Sequence, residues 1–248
     1  MAQTYTVAEA LSLISRQIGK SVENDYAAYL ANVAQNVIWN KYDWRESLAE
    51  LPPFYLIANE QEYGPPAVVI PSDFQGLREA YLINLNGIPA KREPIKVLRD
   101  IRLTHAEALP GFIGYEPARK LFRVFPRVPS GVGSTAFLID GTYKTKPTKI
   151  TPDKLQTTLI PWDDDYLQVF LAALKWAAYD AASDPRAGKV TLQNGMAAYD
   201  GQLGVMHDLI DQMAQNEGLN LGDPAIAPAE PLVYSPNYGS LFPGMGLL

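Results

Sequence analysis

The chain has no cysteine and only two histidines among its 248 residues. Without thiols, disulfides, thiolate zinc sites and cysteine nucleophiles are all excluded, and nothing calls for an oxidising compartment. His105 and His207 are remote in sequence and stand in no metal-spacing pattern, so each reads as a surface or interface residue. Basic residues are in deficit: 21 Lys and Arg against 27 Asp and Glu leave a formal charge of −6. That balance argues against tight, salt-dependent nucleic-acid binding but not against a surface past which DNA slides. No apolar run approaches the roughly 20 residues needed to span a bilayer. The opening MAQTYTVAEALSLISRQIGK has no basic region ahead of an apolar one, so a soluble chain without a signal peptide is expected.

The patterns of catalysis are scarce too. Gly131-Val132-Gly133-Ser134 lacks the third glycine of a dinucleotide fingerprint and the lysine of a P-loop, and precedes β-type sequence; it reads as a hairpin loop. Asp163-Asp164-Asp165 reads as helix caps and dipole partners, with a hard-cation site as the alternative. No Gly-x-Ser-x-Gly elbow occurs. No catalytic, cofactor or metal residue is assigned, and the chain is not expected to be an enzyme.

What the sequence does contain is helix at both ends and β-structure between. Thr6-Val7-Ala8-Glu9 is a capping box, followed by Val7, Leu11, Ile14 and Ile18 at helical spacing up to Gly19. Ser21 can cap a second helix whose apolar positions are Val22, Tyr26, Leu30, Val33 and Val37, with Glu23 and Asp25 in the first turn. So short a link predicts a helical hairpin, packed on itself or on a third helix. From Leu51-Pro52-Pro53 prolines break every long helix. Candidate strands are 54–58, 67–70, 80–85, 94–98, 120–125 and 136–143, with single helical turns at 73–80 and 100–108. These suit a small sandwich or curled sheet.

Later in the chain Leu192, Met196, Tyr199, Leu203, Met206, Ile210 and Met213 repeat at 4-3 spacing, which predicts one helix of about six turns with a packed seam, either within the chain or between subunits. Gly195, Gly201 and Gly204 inside it imply a close backbone approach. Beyond Glu217 the chain is rich in Pro and Gly, poor in charge, and studded with Leu232, Val233, Tyr234, Tyr238, Leu241, Phe242, Leu247 and Leu248. This is an apolar arm, either wrapped on its own domain or docked in extended form on another protein.

The organising stretch is 121–182, LFRVFPRVPSGVGSTAFLIDGTYKTKPTKI followed by LIPWDDDYLQVFLAALKWAAYD after a short link. A strand ending in the aromatic-Pro pair Phe125-Pro126 leads through a loop to a strand ending in Tyr143, and a helix preceded by Pro161 closes the run. With the apolar-Pro-x-Asp turn Val68-Val69-Ile70-Pro71-Ser72-Asp73-Phe74, it resembles the head-to-tail adaptor (connector) proteins of tailed bacteriophages over roughly residues 67–182.

The expected fold is α+β: a helical bundle formed from the N- and C-terminal segments, an inserted small β-sandwich or curled-sheet domain, and an extended C-terminal arm. Residues 1–50 form the helical hairpin, 51–160 the β-domain, 161–217 two long helices and 218–248 the arm. The resemblance implies a structural virion protein at the head-tail junction, made in the host cytoplasm. Its partners would be the portal protein, a tail or nozzle protein, and itself as a ring, usually twelvefold, through which DNA passes without specific binding. A different neck or stopper protein is one alternative; a carbohydrate-binding module or an enzyme with an unrecognised site is another.

Overall fold

The computed structural model describes residues 3–18, 23–86, 89–99, 101, 106–193 and 196–219. Among them the chain is α+β and divides into two units, one of residues 3–49 with 144–219, the other of residues 50–143.

The first unit holds four α-helices: α1 (Val7–Ile18), α2 (Asn24–Lys41), α3 (Leu167–Ala181) and α4 (Gly201–Asn216). The capping box forms: Thr6 N–H donates to Glu9 Oε2 at 2.8 Å and Glu9 N–H to Thr6 Oγ1 at 3.3 Å. The central element is α3, which packs on α1, α2 and α4. On α2 the buried face is Ala27, Ala28, Leu30, Ala31, Ala34, Ile38 and Trp39, and on α3 Ala172, Ala173, Ala177 and Ala178 are buried. Small residues on both sides let the backbones approach. The stripe expected on α2 is therefore rotated: Tyr26 is exposed, Val33 and Val37 are half-buried, and of the described members only Leu30 is in the core. Trp39, Trp162 and Phe170 close that core, with ring centroids 6.0 and 6.4 Å apart.

Residues 144–160, read from the sequence as the end of the β-region, fall with the helices. Ile150, Leu155 and Ile160 supply their apolar side chains to the same core as α2 and α3. Residues 3–8 run alongside them, with Val7 N–H on Thr158 O at 2.9 Å and Ile160 N–H on Tyr5 O at 3.0 Å.

The second unit is built on a curled seven-stranded sheet. Its strands are β1 (Leu48–Tyr55), β2 (Glu62–Tyr63), β3 (Phe74–Asn84), β4 (Lys91–Leu98), β5 (Phe112–Glu116), β6 (Leu121–Phe125) and β7 (Phe137–Thr145), in the order β1-β7-β3-β4-β5-β6-β2. Pro52 and Pro53 sit on the edge strand β1, where a missing ladder donor costs least. An aromatic cluster fills the unit. Phe122 stacks on Phe54 at 5.5 Å and meets Phe74 edge-on at 5.7 Å, while Phe74 also contacts Tyr115 and Tyr143.

Three expectations are corrected here. Residues 74–80, expected with Asp73 as a helical turn, belong to β3; Phe74, Leu77 and Ala80 are buried there, and this spacing of three imitates a helix before Ala80 and Leu82 settle to alternation. The segment 67–70 is turn and bend, while β2 and β5 were not expected. The strands on either side of Gly131-Val132-Gly133 do not pair with each other. Instead β6 lies between β5 and β2, and β7 between β1 and β3, so the loop is a crossover connection. The register explains part of this, since Glu62 of β2 faces Arg123 of β6 and takes both Arg119 and Arg123 as ion partners, at 2.7 and 3.1 Å. Glu62 is held below the usual carboxylate range, first by the Arg119 hydrogen bond.

Candidate assembly interface

The predicted seam divides. Leu192, Met196 and Tyr199 do not lie on a helix; they belong to a hairpin of β8 (Val190–Gln193) and β9 (Met196–Tyr199) that precedes α4. Leu203, Met206, Ile210 and Met213 are on α4 and buried in the helical core, so this half of the seam is internal to the chain. Glycine is what the 4-3 pattern concealed. Gly188 and Gly201 have φ of 92° and 58°, and a Cβ on Gly201 would lie 2.8 Å from the Gly188 Cα. The two glycines meet at the base of the hairpin, where side chains would collide. A Cβ on Gly204 would meet the Tyr199 carbonyl at 2.8 Å, so the close approach foreseen at these glycines comes from the chain itself.

The arm residues Leu232, Val233, Tyr234, Tyr238, Leu241, Phe242, Leu247 and Leu248 lie outside the described residues, as do His105 and Gly195. His207 is placed on α4. Its Nδ1 stands 2.8 Å from the Lys41 ammonium at the C-terminal end of α2, and Lys41 also pairs with Asp211 at 2.5 Å. Tyr42 Oη donates to Asp211 at 2.9 Å. Burial, then the neighbouring Lys41 charge, push the His207 pKa down, so the neutral ring accepts from the ammonium. Tyr42 is pushed up to about 12 by burial and by its bond to Asp211. The cluster ties α2 to α4 at the end where the helix dipole favours a cation.

The aspartate run behaves as a set of ties. Asp164 accepts from Thr4 N–H and Oγ1 and from Tyr5 N–H, at 2.9, 2.5 and 3.4 Å, and these donors hold its pKa below the usual aspartate value. Asp163 and Glu46 lie near Glu217, whose pKa is raised to about 7 by burial first and these charges second. Among the described residues no group of three or more His, Cys, Asp or Glu is placed to hold a metal ion. None of the helices searched there is long and apolar enough to cross a membrane.

Several large apolar side chains of the first unit face outward. Val190, Leu192 and Tyr199 of the hairpin are exposed, and so are Tyr26 and Tyr29 on α2, whose rings stack 6.2 Å apart. Sequence reasoning missed the tyrosines as a surface because it assigned Tyr26 to the core.

The model of the SU10 adaptor protein family matches residues 5–221, a span that takes in every helix and strand described above. The chain belongs to that family. It is accordingly a bacteriophage adaptor, a structural component of the virion that associates with other virion proteins. The match runs through both units and ends at residue 221, so it takes in only the first residues of the arm and none of the arm's apolar positions from Leu232 on. No curated protein matches the chain.

Proposed function

We propose that the protein forms a ring beneath the portal, with the twelvefold symmetry the connector resemblance implies, and joins the capsid to the tail or nozzle. The observation that carries this reading is the family match over residues 5–221. On this reading the helical unit lies against ring neighbours, the sheet unit forms the outer or tail-side wall, and DNA passes through the central channel. The net charge of −6 suits a conduit that must release DNA. The arm, Leu219–Leu248, anchors each subunit to the portal or to a neighbour by extended, Pro-interrupted docking.

The test is the mass of the full chain, alone and mixed with portal protein from the same genome, by light scattering with negative-stain imaging. Rings seated on the portal are the expected result. A chain that stays free in the presence of portal, across salt and pH, overturns the reading. Truncation after residue 218 should leave a folded subunit that no longer joins; stable joining by the truncated chain would remove the arm from the mechanism.

A further inference from the structure

The β8–β9 hairpin is exceptional in its exposure. Its two strands pair only with each other, and an isolated two-stranded ribbon is marginal in water. The register sets Val190 opposite Tyr199 and Leu192 opposite Ala197. Residues two apart on a strand and directly opposed across a ladder share a face, so these four form one apolar face. That face is left to solvent: Leu192 is 79% exposed, Val190 58% and Tyr199 42%. Tyr199 stacks on His207 at 3.9 Å, which fixes the hairpin base on α4 while Leu192 projects beyond it.

Another exposed apolar feature of the same unit, set apart by its stacked rings, is the Tyr26–Tyr29 pair, 42% and 55% exposed. It sits near the N-terminal end of α2, whereas His207, on which the hairpin's Tyr199 stacks, is bonded to Lys41 at the other end. At 1.5 Å per residue the tyrosines lie about 18–22 Å along the helix from Lys41. Neither feature covers the other within one chain. Charge distinguishes them: Lys189 precedes Val190, with Asp200 following Tyr199 at the hairpin base, whereas the charged residues just before the tyrosines are acids only, Glu23 and Asp25, and all four charged residues are exposed.

We infer that the hairpin of one copy seats its Val190–Leu192 face on the Tyr26–Tyr29 patch of the next copy, with Lys189 against Glu23 and Asp25. Two different patches on one subunit make a head-to-tail contact, which closes into a ring when the rotation permits. The inference rests on the ring reading above and names the surfaces that would meet in it. Two patches of this size fall short of the roughly 800 Å² per partner of a stable pair. The contact is therefore weak between free subunits and closes when copies are held side by side on a template.

The absence of native cysteine makes the test direct. Tyr29→Cys, Leu192→Cys and the double variant are treated with a short bismaleimide, both free and bound to portal. The double variant should give a ladder of covalent multimers on the portal, with crosslinked peptides joining positions 29 and 192 identified by mass spectrometry, and the single variants should not. If portal-bound rings form and are imaged but the double variant gives no ladder, this interface is wrong and the ring reading stands. A ladder in free chain that never binds portal retains the interface and removes the portal from the function. Dimers from Leu192→Cys alone, or crosslinks from it to portal, overturn the proposal by naming a different occupant.

A second set of variants guards against misfolding. Leu192→Asp should cut ring yield at least tenfold with unchanged melting temperature. Lys189→Glu should lower the yield several-fold, and Lys189→Glu combined with Asp25→Lys should recover it; failure of the charge exchange to recover yield counts against the stated orientation.

Discussion

Asp164 and Thr4 are joined by two hydrogen bonds, N–H to Oδ1 at 2.9 Å and Oγ1 to Oδ2 at 2.5 Å, across 160 positions of sequence. With Gln3 Nε2 on the Pro161 carbonyl at 3.0 Å, they fasten the N-terminal segment beside the entry to α3. A carboxylate whose folded pKa is depressed stabilises the fold above its unfolded value and loses that contribution as pH falls through the folded one. Asp164→Asn is expected to speed hydrogen exchange at the Val7 and Ile160 amides at neutral pH and to lower the melting temperature. The difference from the parent chain should narrow as pH drops below the ordinary aspartate value of 3.8. A difference that holds constant through acid would mean the charge of Asp164 is not what secures the segment.

Glu217 behaves in the opposite sense. It caps the C-terminal end of α4, half-buried and near Glu46 and Asp163, and its pKa rises from 4.5 to about 7. The folded state then holds the proton more tightly than the unfolded chain, so stability is greatest when Glu217 is protonated and declines as pH rises from 4.5 through about 7. Solvent screening of a half-exposed group leaves about 1 kcal/mol of this penalty above pH 7. Glu217→Gln should therefore raise the melting temperature by about 2–4 °C at pH 8 and change it little at pH 4.5. An equal gain at both pH values would assign the effect to something other than titration.

These two carboxylates mark the limit of what was legible in the sequence. The Thr6–Glu9 capping box, the two helical ends with β-structure between, and the burial of Leu203, Met206, Ile210 and Met213 could all be read, because each is a local pattern with one physical solution. The Asp164–Thr4 tie could not, since nothing local distinguishes an aspartate that caps its own helix from one that captures a distant segment. The β8–β9 hairpin was hidden by an accident of spacing: Leu192, Met196 and Tyr199 continue the α4 stripe in phase, and only the contact of Gly188 with Gly201 ends it. The Asp73 turn and the strand end at Tyr143, two of the positions that carried the resemblance, prove to be bonded to each other. Tyr143 Oη donates to Asp73 at 3.0 Å, and burial with this bond pushes the phenol up to about 12.

Lys144 carries the next prediction. Its side chain is fully buried, donates to the Tyr42 carbonyl at the C-terminal end of α2, and pairs with Asp43 at 3.1 Å. Helix-end carbonyls have no intrahelical donor, so this ammonium fills a role that water cannot reach. Lys144→Met keeps the volume and removes the donor, leaving the Tyr42 carbonyl without this partner; a loss of about 2–4 kcal/mol is expected. Urea titration checks it. The midpoint should fall with unchanged slope, and a loss below about 0.5 kcal/mol would show that Asp43 and Tyr42 find equivalent partners in its absence.

Gly141 is where the sheet itself is most exposed to a single substitution. It lies in β7, beside β3 in the strand order, and a Cβ built there would come within 2.0 Å of the Glu79 carbonyl oxygen and 3.0 Å of the Ala80 Cα. Both obstacles are backbone of a neighbouring strand, which cannot rotate aside as a side chain would. Gly141→Ala must push β7 away from β3 and weaken the ladder that joins them, at a cost of about 3 kcal/mol or more. Gly76→Ala is the matched control, because a Cβ there meets nothing within 4 Å. Thermal unfolding should separate the two variants clearly. If Gly141→Ala melted with the parent, the placement of β7 beside β3 described above would have to be redrawn.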